Sequence, residues 1–175
     1  NSVDPSKPLI KEAISSYENA FKKHHSVHAM SRLAALITDD DEKKVRYMKA
    51  AAYADDPEAL YMYAQALQFG LYGVKPNITK VNDLLRRSVA QDYIPSMIQL
   101  ATNYYGGYGV PKTFYRAFGL YKKASDLGDE DGKAFMASLI MLGRGTTLPS
   151  TEGKNILEQL YLKKECPIAK GIYSA

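Results

Sequence analysis

The feature of this chain that most restricts its fold is an internal repeat with a period of 36 residues. The period is marked by two sets of residues at matching positions: Gly73, Gly109 and Gly145, and Leu85, Tyr121 and Leu157. A period of this length is typical of proteins in which one small structural unit recurs along the chain. Such units must stack on one another, because a single unit cannot bury its apolar face alone.

Three copies of the repeat cover residues 56–92, 93–128 and 129–164, and each has the pattern of two amphipathic helices. In the middle copy, apolar residues recur at helical spacing up to Tyr104, a glycine-rich segment interrupts them, and the spacing resumes at Ala117. The pattern therefore predicts helical hairpins. We expect six glycines to adopt positive φ where the first helices end: Gly70, Gly73, Gly107, Gly109, Gly143 and Gly145.

The flanking segments extend this organisation. Residues 26–55 have the pattern of a divergent, shortened repeat that lacks the glycine loop. Within the amino-terminal segment 1–25, a helix from Leu9 to His25 is predicted to cover the exposed end of the stack. Residues 165–175 are interpreted as a carboxy-terminal tail or the start of a further helix.

The middle copy resembles the Sel1-like repeat, a relative of the tetratricopeptide repeat. The resemblance rests on its matching motif positions: Leu100-Ala101, Tyr104, Gly107, Gly109-Val110, Arg116-Ala117, Tyr121, Lys123-Ala124 and Gly128. It implies an all-α fold, an α-α superhelix or solenoid of antiparallel helical hairpins. The third copy departs from the family at Thr146, where the family has Val, and at Gly153, where it has Ala, which weakens the prediction of its second helix.

The resemblance also implies a function and a surface. Proteins of this class usually bind partners on a concave face lined by the first helices, so we expect a non-enzymatic adaptor for a protein or peptide partner. Helical phase assigns ten residues to this face: Glu58, Tyr61, Gln65, Gln68, Phe69, Ile98, Thr102, Tyr105, Ser138 and Met141. The alternative for each of them is packing against the adjacent repeat.

The balance of charge leaves a second interpretation open. The formal net charge is +4, and the basic residues fall in scattered pairs: Lys22-Lys23, Lys43-Lys44, Arg86-Arg87, Lys122-Lys123 and Lys163-Lys164. Pairs near helix ends suit the helix dipole and face solvent. If stacking instead aligned them into a stripe, the chain would be an organellar nucleic-acid-binding repeat protein, and this is the alternative function.

Chemical motifs are weak throughout the chain. His24 and His28 have the i, i+4 spacing of a zinc-binding pair, but no Cys or clear carboxylate ligand accompanies them, so we expect no metal site and no cofactor. The acidic run 39–42 precedes a helix and is interpreted as its cap, as is Asp129. No Ser, His and Asp fall in a recognisable catalytic spacing. A small hydrolase or metal enzyme built on helical repeats is the remaining rival.

Compartment and chain ends are weakly constrained. Cys166 is the only cysteine, which excludes an internal disulfide and slightly favours a reducing compartment. The segment Asn77-Ile78-Thr79 matches the glycosylation pattern and would matter only in the secretory pathway. No apolar stretch approaches the roughly 18 residues needed to span a membrane. The chain lacks an initiator Met, as a processed protein or a fragment of a larger protein would.

Overall fold

A computed structural model describes residues 6–162 and residue 171, and within this part of the chain it is entirely helical. The predicted all-α class is confirmed. The helices are α1 Ser6–His24, α2 Val27–Leu36, α3 Asp41–Tyr53, α4 Pro57–Phe69, α5 Ile78–Val89, α6 Ile94–Gly106, α7 Phe114–Asp126, α8 Glu130–Met141 and α9 Ser150–Leu162, with a 3-10 turn at Leu71–Gly73. The tail 165–175, including Cys166, lies outside the described residues except for residue 171. The contacts between residues divide the chain into two compact units, Asn1–Gln91 (unit 1) and Asp92–Ala175 (unit 2).

Most helix starts are set by a side-chain cap. In each case a side-chain oxygen accepts a hydrogen bond from the backbone N–H three residues later, which satisfies one of the free donors of the first turn. The acidic run does cap α3, because Asp40 accepts from the Lys43 N–H at 2.8 Å. The same geometry is found at Ser26, Asp56, Asn77 and Asp129. The polar residues before each apolar run therefore decide where the helices begin.

Glycines end the first helices of the repeats. Gly70 and Gly107 close α4 and α6 in the left-handed conformation, with φ of 66° and 83°. A residue with a side chain would be strained there. Each loop then returns to its own first helix: the Asn77 N–H donates to the Leu67 carbonyl at 3.0 Å, and the Thr113 N–H donates to the Tyr104 carbonyl at 2.9 Å. The other glycines expected in this role, Gly73, Gly109, Gly143 and Gly145, also have positive φ.

Unit 1 contains the capping helix, the shortened hairpin α2–α3 and the hairpin α4–α5. Each helix packs on the next, and α2 also touches α4. Its core is built from large apolar side chains that are almost fully buried, including Leu33, Met48, Leu60 and Leu85. Ser88, also fully buried, donates from Oγ to the Pro57 carbonyl at 2.8 Å and ties the two ends of the second hairpin together.

Unit 2 contains the hairpins α6–α7 and α8–α9. Although the third copy departs from the repeat pattern at Gly153, its second helix forms over Ser150–Leu162. Gly153 is buried, and a Cβ there would overlap the Ala137 carbonyl oxygen and lie 2.6 Å from the Met141 nitrogen. The departure therefore has a physical reason, since α9 crosses α8 too closely for a side chain.

One expectation for the amino-terminal region needs correction, the bounds of the first helix. The capping helix α1 runs from Ser6 to His24 and not from Leu9 to His25, because His25 leaves the helix with φ of 50°. A new helix, α2, begins at Val27. His24 and His28 consequently lie on different helices, so the i, i+4 geometry on which a zinc pair depended does not occur.

Candidate partner-binding surface

In unit 1, the residues predicted to form the binding face lie along α4. Glu58, Tyr61, Gln65 and Gln68 are half-buried, whereas Phe69, at the end of the helix, is 61% exposed. An aromatic side chain this exposed beside amide and hydroxyl groups is the composition that favours protein recognition. We refer to these five residues as the α4 surface.

The polar groups of the α4 surface are held in place by short bonds. Glu58 Oε1 accepts from Arg32 Nη1 of α2 at 2.9 Å, and Gln65 Nε2 donates to the Tyr61 hydroxyl at 2.8 Å. Burial raises the pKa of Tyr61, and its bond with Gln65 opposes that change. Gln68 Oε1 is buried without a hydrogen-bond partner among the described residues. Most of this surface is therefore ordered before a partner binds, which reduces the loss of side-chain entropy on binding.

A pocket opens beside the α4 surface, in the groove between α2 and α4. Its volume is about 240 Å³. We name it the α2–α4 pocket; its lining residues are Ala35, Lys44, Met48, Met62, Gln65, Leu71 and Tyr72. Of these, helical phase had identified Gln65 alone. The others come from α2, α3, α4 and the loop after α4.

Lys44 is the charged group of the α2–α4 pocket. Its Nζ donates to the Ile37 carbonyl at 2.8 Å and lies 4.9 Å from the centre of the Tyr72 ring. Burial lowers the pKa of Lys44, and the nearby Asp41 carboxylate partly offsets this effect. Within the described residues, no carboxylate forms an ion pair with it. The pocket thus combines apolar side chains with a partly buried cation that forms no ion pair within the described residues.

In unit 2, the predicted residues are divided between α6 and α8. Thr102 Oγ1 donates to the Ile98 carbonyl at 2.9 Å and lies 3.0 Å from the Tyr121 hydroxyl, so this part of α6 is engaged internally. Burial raises the pKa of Tyr121. On α8, Ser138 is half-buried and Met141 is 37% exposed.

Tyr105, the last predicted residue of α6, belongs to an aromatic and cationic cluster. Its hydroxyl accepts from Arg144 Nη1 at 2.5 Å, and its ring packs against Phe114 with the centres 5.3 Å apart. The Arg144 guanidinium lies over both rings, 5.7 Å from Tyr105 and 5.1 Å from Phe114. Tyr105 therefore contributes to the packing of its own unit as well as to the predicted surface.

Five of the eight described residues in the basic pairs form ion pairs. Arg87 Nη2 lies 2.6 Å from Asp55 Oδ1, and this bond joins α5 to the end of the preceding hairpin. Four more ion pairs engage members of the basic pairs: Lys43 with Glu18, Arg86 with Asp83, Lys122 with Asp126, and Lys123 with Asp92. A nucleic-acid interface needs cations free to replace the counterions of phosphate groups. Lys163-Lys164 lies outside the described residues.

Two searches of the described residues bear on other functions. Across residues 6–162 and residue 171, no three His, Cys, Asp or Glu side chains converge as metal ligands would. The helices described there are all too short or too polar to cross a membrane.

The hairpin architecture and the glycine loops define a helical-repeat protein, and comparison of the sequence with protein families specifies the class. The Sel1 repeat model matches residues 57–93 and 94–129, which correspond to the hairpins α4–α5 and α6–α7. These two segments therefore match the Sel1 repeat, and the predicted resemblance is confirmed. No curated protein sequence matches the chain.

Solved structures show the same fold. The chain is similar to a Sel1 repeat protein from Oxalobacter formigenes, with a TM-score of 0.79 and 22% identity over 91% of this chain and 66% of the other. It is also similar to a protective antigen of uropathogenic Escherichia coli with this repeat fold, with a TM-score of 0.77 and 22% identity over 89% of this chain and 34% of the antigen. Cysteine-rich protein B of Helicobacter pylori gives a TM-score of 0.57 and 21% identity, over 75% of this chain and 97% of that protein. The chain thus spans 66% and 34% of the first two relatives.

Proposed function

We propose that this chain is a non-enzymatic adaptor that binds a protein or peptide partner on its first helices, in the assembly or regulation of a complex. Its two Sel1 repeats support the proposal, because this repeat is commonly a protein-interaction scaffold. The observation that carries it is the α4 surface, where exposed Phe69 stands beside the pre-ordered pair Tyr61 and Gln65. In unit 2, Met141 is an exposed apolar residue of the predicted face.

The chemistry of these surfaces suits a protein more than a nucleic acid. Aromatic and Met side chains dominate the energetics of protein interfaces, and amide groups supply adaptable hydrogen bonds. Ion pairs engage five of the eight described residues in the basic pairs, and this counts against a phosphate-binding stripe. We therefore retain protein binding as the single proposed function.

A comparison of two exposed aromatic residues tests the proposal. Phe69 lies on a first helix and is 61% exposed, and Tyr115 lies on a second helix, α7, and is 76% exposed. A partner would first be identified by affinity capture from the native cell and mass spectrometry. Phe69→Ala is then expected to weaken its binding to the full chain about tenfold, since truncating an aromatic anchor typically costs more than 1 kcal/mol.

Tyr115→Ala is the matched control and should leave the dissociation constant within about twofold of the wild type, because it removes a similar area from the other face of a hairpin. Both variants should melt close to the wild type, since neither side chain is buried. Equal binding by wild type and Phe69→Ala would contradict a role for the α4 surface. Loss of binding in Tyr115→Ala alone would place the partner on the second helices.

A further inference from the structure

The α2–α4 pocket is a feature of unit 1 that the repeat pattern does not explain. Its apolar lining comes from Ala35 of α2, Met48 of α3, Met62 of α4, and Leu71 and Tyr72 of the loop after α4. Its volume of about 240 Å³ lies below the roughly 300–1,000 Å³ of small-molecule sites. This size suits one apolar side chain better than a cofactor or metabolite.

The walls of the pocket favour an apolar guest. Met48 and Met62 are unbranched and polarisable, so they can adapt to side chains of different shapes. Leu71 and Tyr72 at the mouth are 39% and 37% exposed, so a bound side chain would cover apolar surface that is now in water. Polar contact within the pocket comes from Gln65 and Lys44.

The positive charge of Lys44 predicts which group of a ligand should lie next to its apolar side chain. The Lys44 ammonium has three donors, and the structure assigns one of them to the Ile37 carbonyl. The group is partly buried and has no ion pair within the described residues. The Asp41 carboxylate acts on Lys44 without forming an ion pair, so a carboxylate brought by a ligand would supply a direct one. Such charge-assisted bonds are stronger than neutral ones.

We propose that the α2–α4 pocket receives an apolar side chain of an acidic peptide segment, and that Lys44 pairs with the side-chain carboxylate of a neighbouring Asp or Glu. The inference rests on the proposed function, because it names the partner chemistry of the same first-helix surface. It assigns the recognition of one apolar and one acidic residue to a single place beside α4.

Selection from a random peptide library, with the full chain as bait, tests this chemistry directly. We expect the enriched peptides to share an apolar residue beside Asp or Glu. An enriched peptide, labelled with fluorescein, would then be titrated with each protein variant and its binding measured by fluorescence anisotropy. Replacing the peptide's acidic residue by its amide should weaken binding about tenfold, the typical scale of a charge-assisted hydrogen bond.

Substitutions in the protein should reproduce that loss. Lys44→Gln is expected to weaken binding of the acidic peptide about tenfold and to remove its preference over the amide form, whereas Lys44→Arg should retain the preference because the charge remains. Ala35→Leu should fill the pocket and weaken the same peptide by a similar factor. Lys154→Gln, on an exposed position of α9, is the matched control and should change nothing.

Each outcome separates this inference from the proposed function. If an enriched peptide binds wild type, Lys44→Gln and Ala35→Leu equally, the pocket inference fails, while peptide binding by the chain stands. If enriched peptides carry no acidic residue, the pairing with Lys44 is overturned. If no peptide is enriched, the pocket inference also fails, and capture of a partner that depends on Phe69 still decides the proposed function. Melting temperatures of Lys44→Gln and Ala35→Leu close to that of the wild type would show that both variants fold and that the loss of binding is specific.

Discussion

Gly73 and Gly145 occupy the same position in two repeats, yet their surroundings differ. Both have positive φ, 69° and 73°. A Cβ at Gly73 would meet nothing within 4 Å, whereas a Cβ at Gly145 would overlap the Phe114 carbonyl and lie 2.7 Å from the Tyr115 nitrogen. The repeat register therefore determines the backbone conformation of the loop, and the preceding hairpin determines what the loop packs against.

The two preceding hairpins explain this difference. In unit 2, α6 and α7 are joined by the glycine loop 107–113, and the next loop packs tightly on the start of α7, with Arg144 over the rings of Tyr105 and Phe114. In unit 1, α2 and α3 are joined by the short segment 37–40, and the next loop reaches α3 through Tyr72, above Lys44. The loop after α8 therefore packs against backbone and leaves no space for a side chain at Gly145, whereas the loop after α4 lines the α2–α4 pocket.

The largest effect is expected from alanine at these two glycines. Gly145→Ala should lower the free energy of unfolding by about 3 kcal/mol or more, because positive-φ strain and a clash with rigid backbone act together. Gly73→Ala should cost only the strain, about 1–2 kcal/mol. Urea unfolding of the two variants in the full chain measures the difference. Equal losses would show that the two loops are packed alike.

A smaller effect is expected at Gly153, where alanine would restore the residue typical of the family. Gly153→Ala should destabilise the chain by about 2 kcal/mol, since the clash with the α8 backbone outweighs the roughly 1 kcal/mol by which alanine favours a helix. The measurement is the midpoint of thermal unfolding.

Gly119 supplies the matched control for that substitution. It lies within α7, is exposed, and has nothing within 4 Å of its missing Cβ. Gly119→Ala should therefore stabilise the chain by about 0.5–1 kcal/mol. A higher midpoint for both variants would mean that α8 and α9 do not approach as closely as the structure indicates.

The smallest effect concerns the side chains that cover the two loops. Arg144→Ala should cost about 1–2 kcal/mol, because it removes a hydrogen bond and two cation–π contacts. Tyr72→Ala should cost less than about 0.5 kcal/mol, since Tyr72 is 37% exposed and its main contact is with Lys44. Denaturant unfolding of both variants tests this ranking. A larger loss for Tyr72→Ala would imply that the unit 1 loop is the more firmly held.

Local patterns predicted much of the helical organisation. Asp40 and Asp129 cap helices because a short acidic side chain can reach the backbone N–H three residues ahead, and that geometry depends on neighbouring residues only. The end of the first helix was harder to predict: the pattern did not reveal that His25 leaves the helix, so that His24 and His28 lie on different helices.

Contacts between helices were beyond such patterns. The bond between Tyr105 and Arg144 joins residues far apart in the sequence, and so does the ion pair between Arg87 and Asp55. Helical phase identified Tyr61 and Gln65 as surface candidates but could not show that they bond to each other. Those partners depend on side-chain conformations that form only when the hairpins pack.

By itself, the sequence determined the repeat period, the all-α class and the positions where glycine reverses the chain, because each follows from interactions among residues close along the chain. The tertiary structure alone decided that Gly145 touches backbone while Gly73 does not, and that Lys44, Met62 and Tyr72 enclose a pocket. These outcomes depend on how closely neighbouring helices approach, and that distance is set by the packing of whole hairpins.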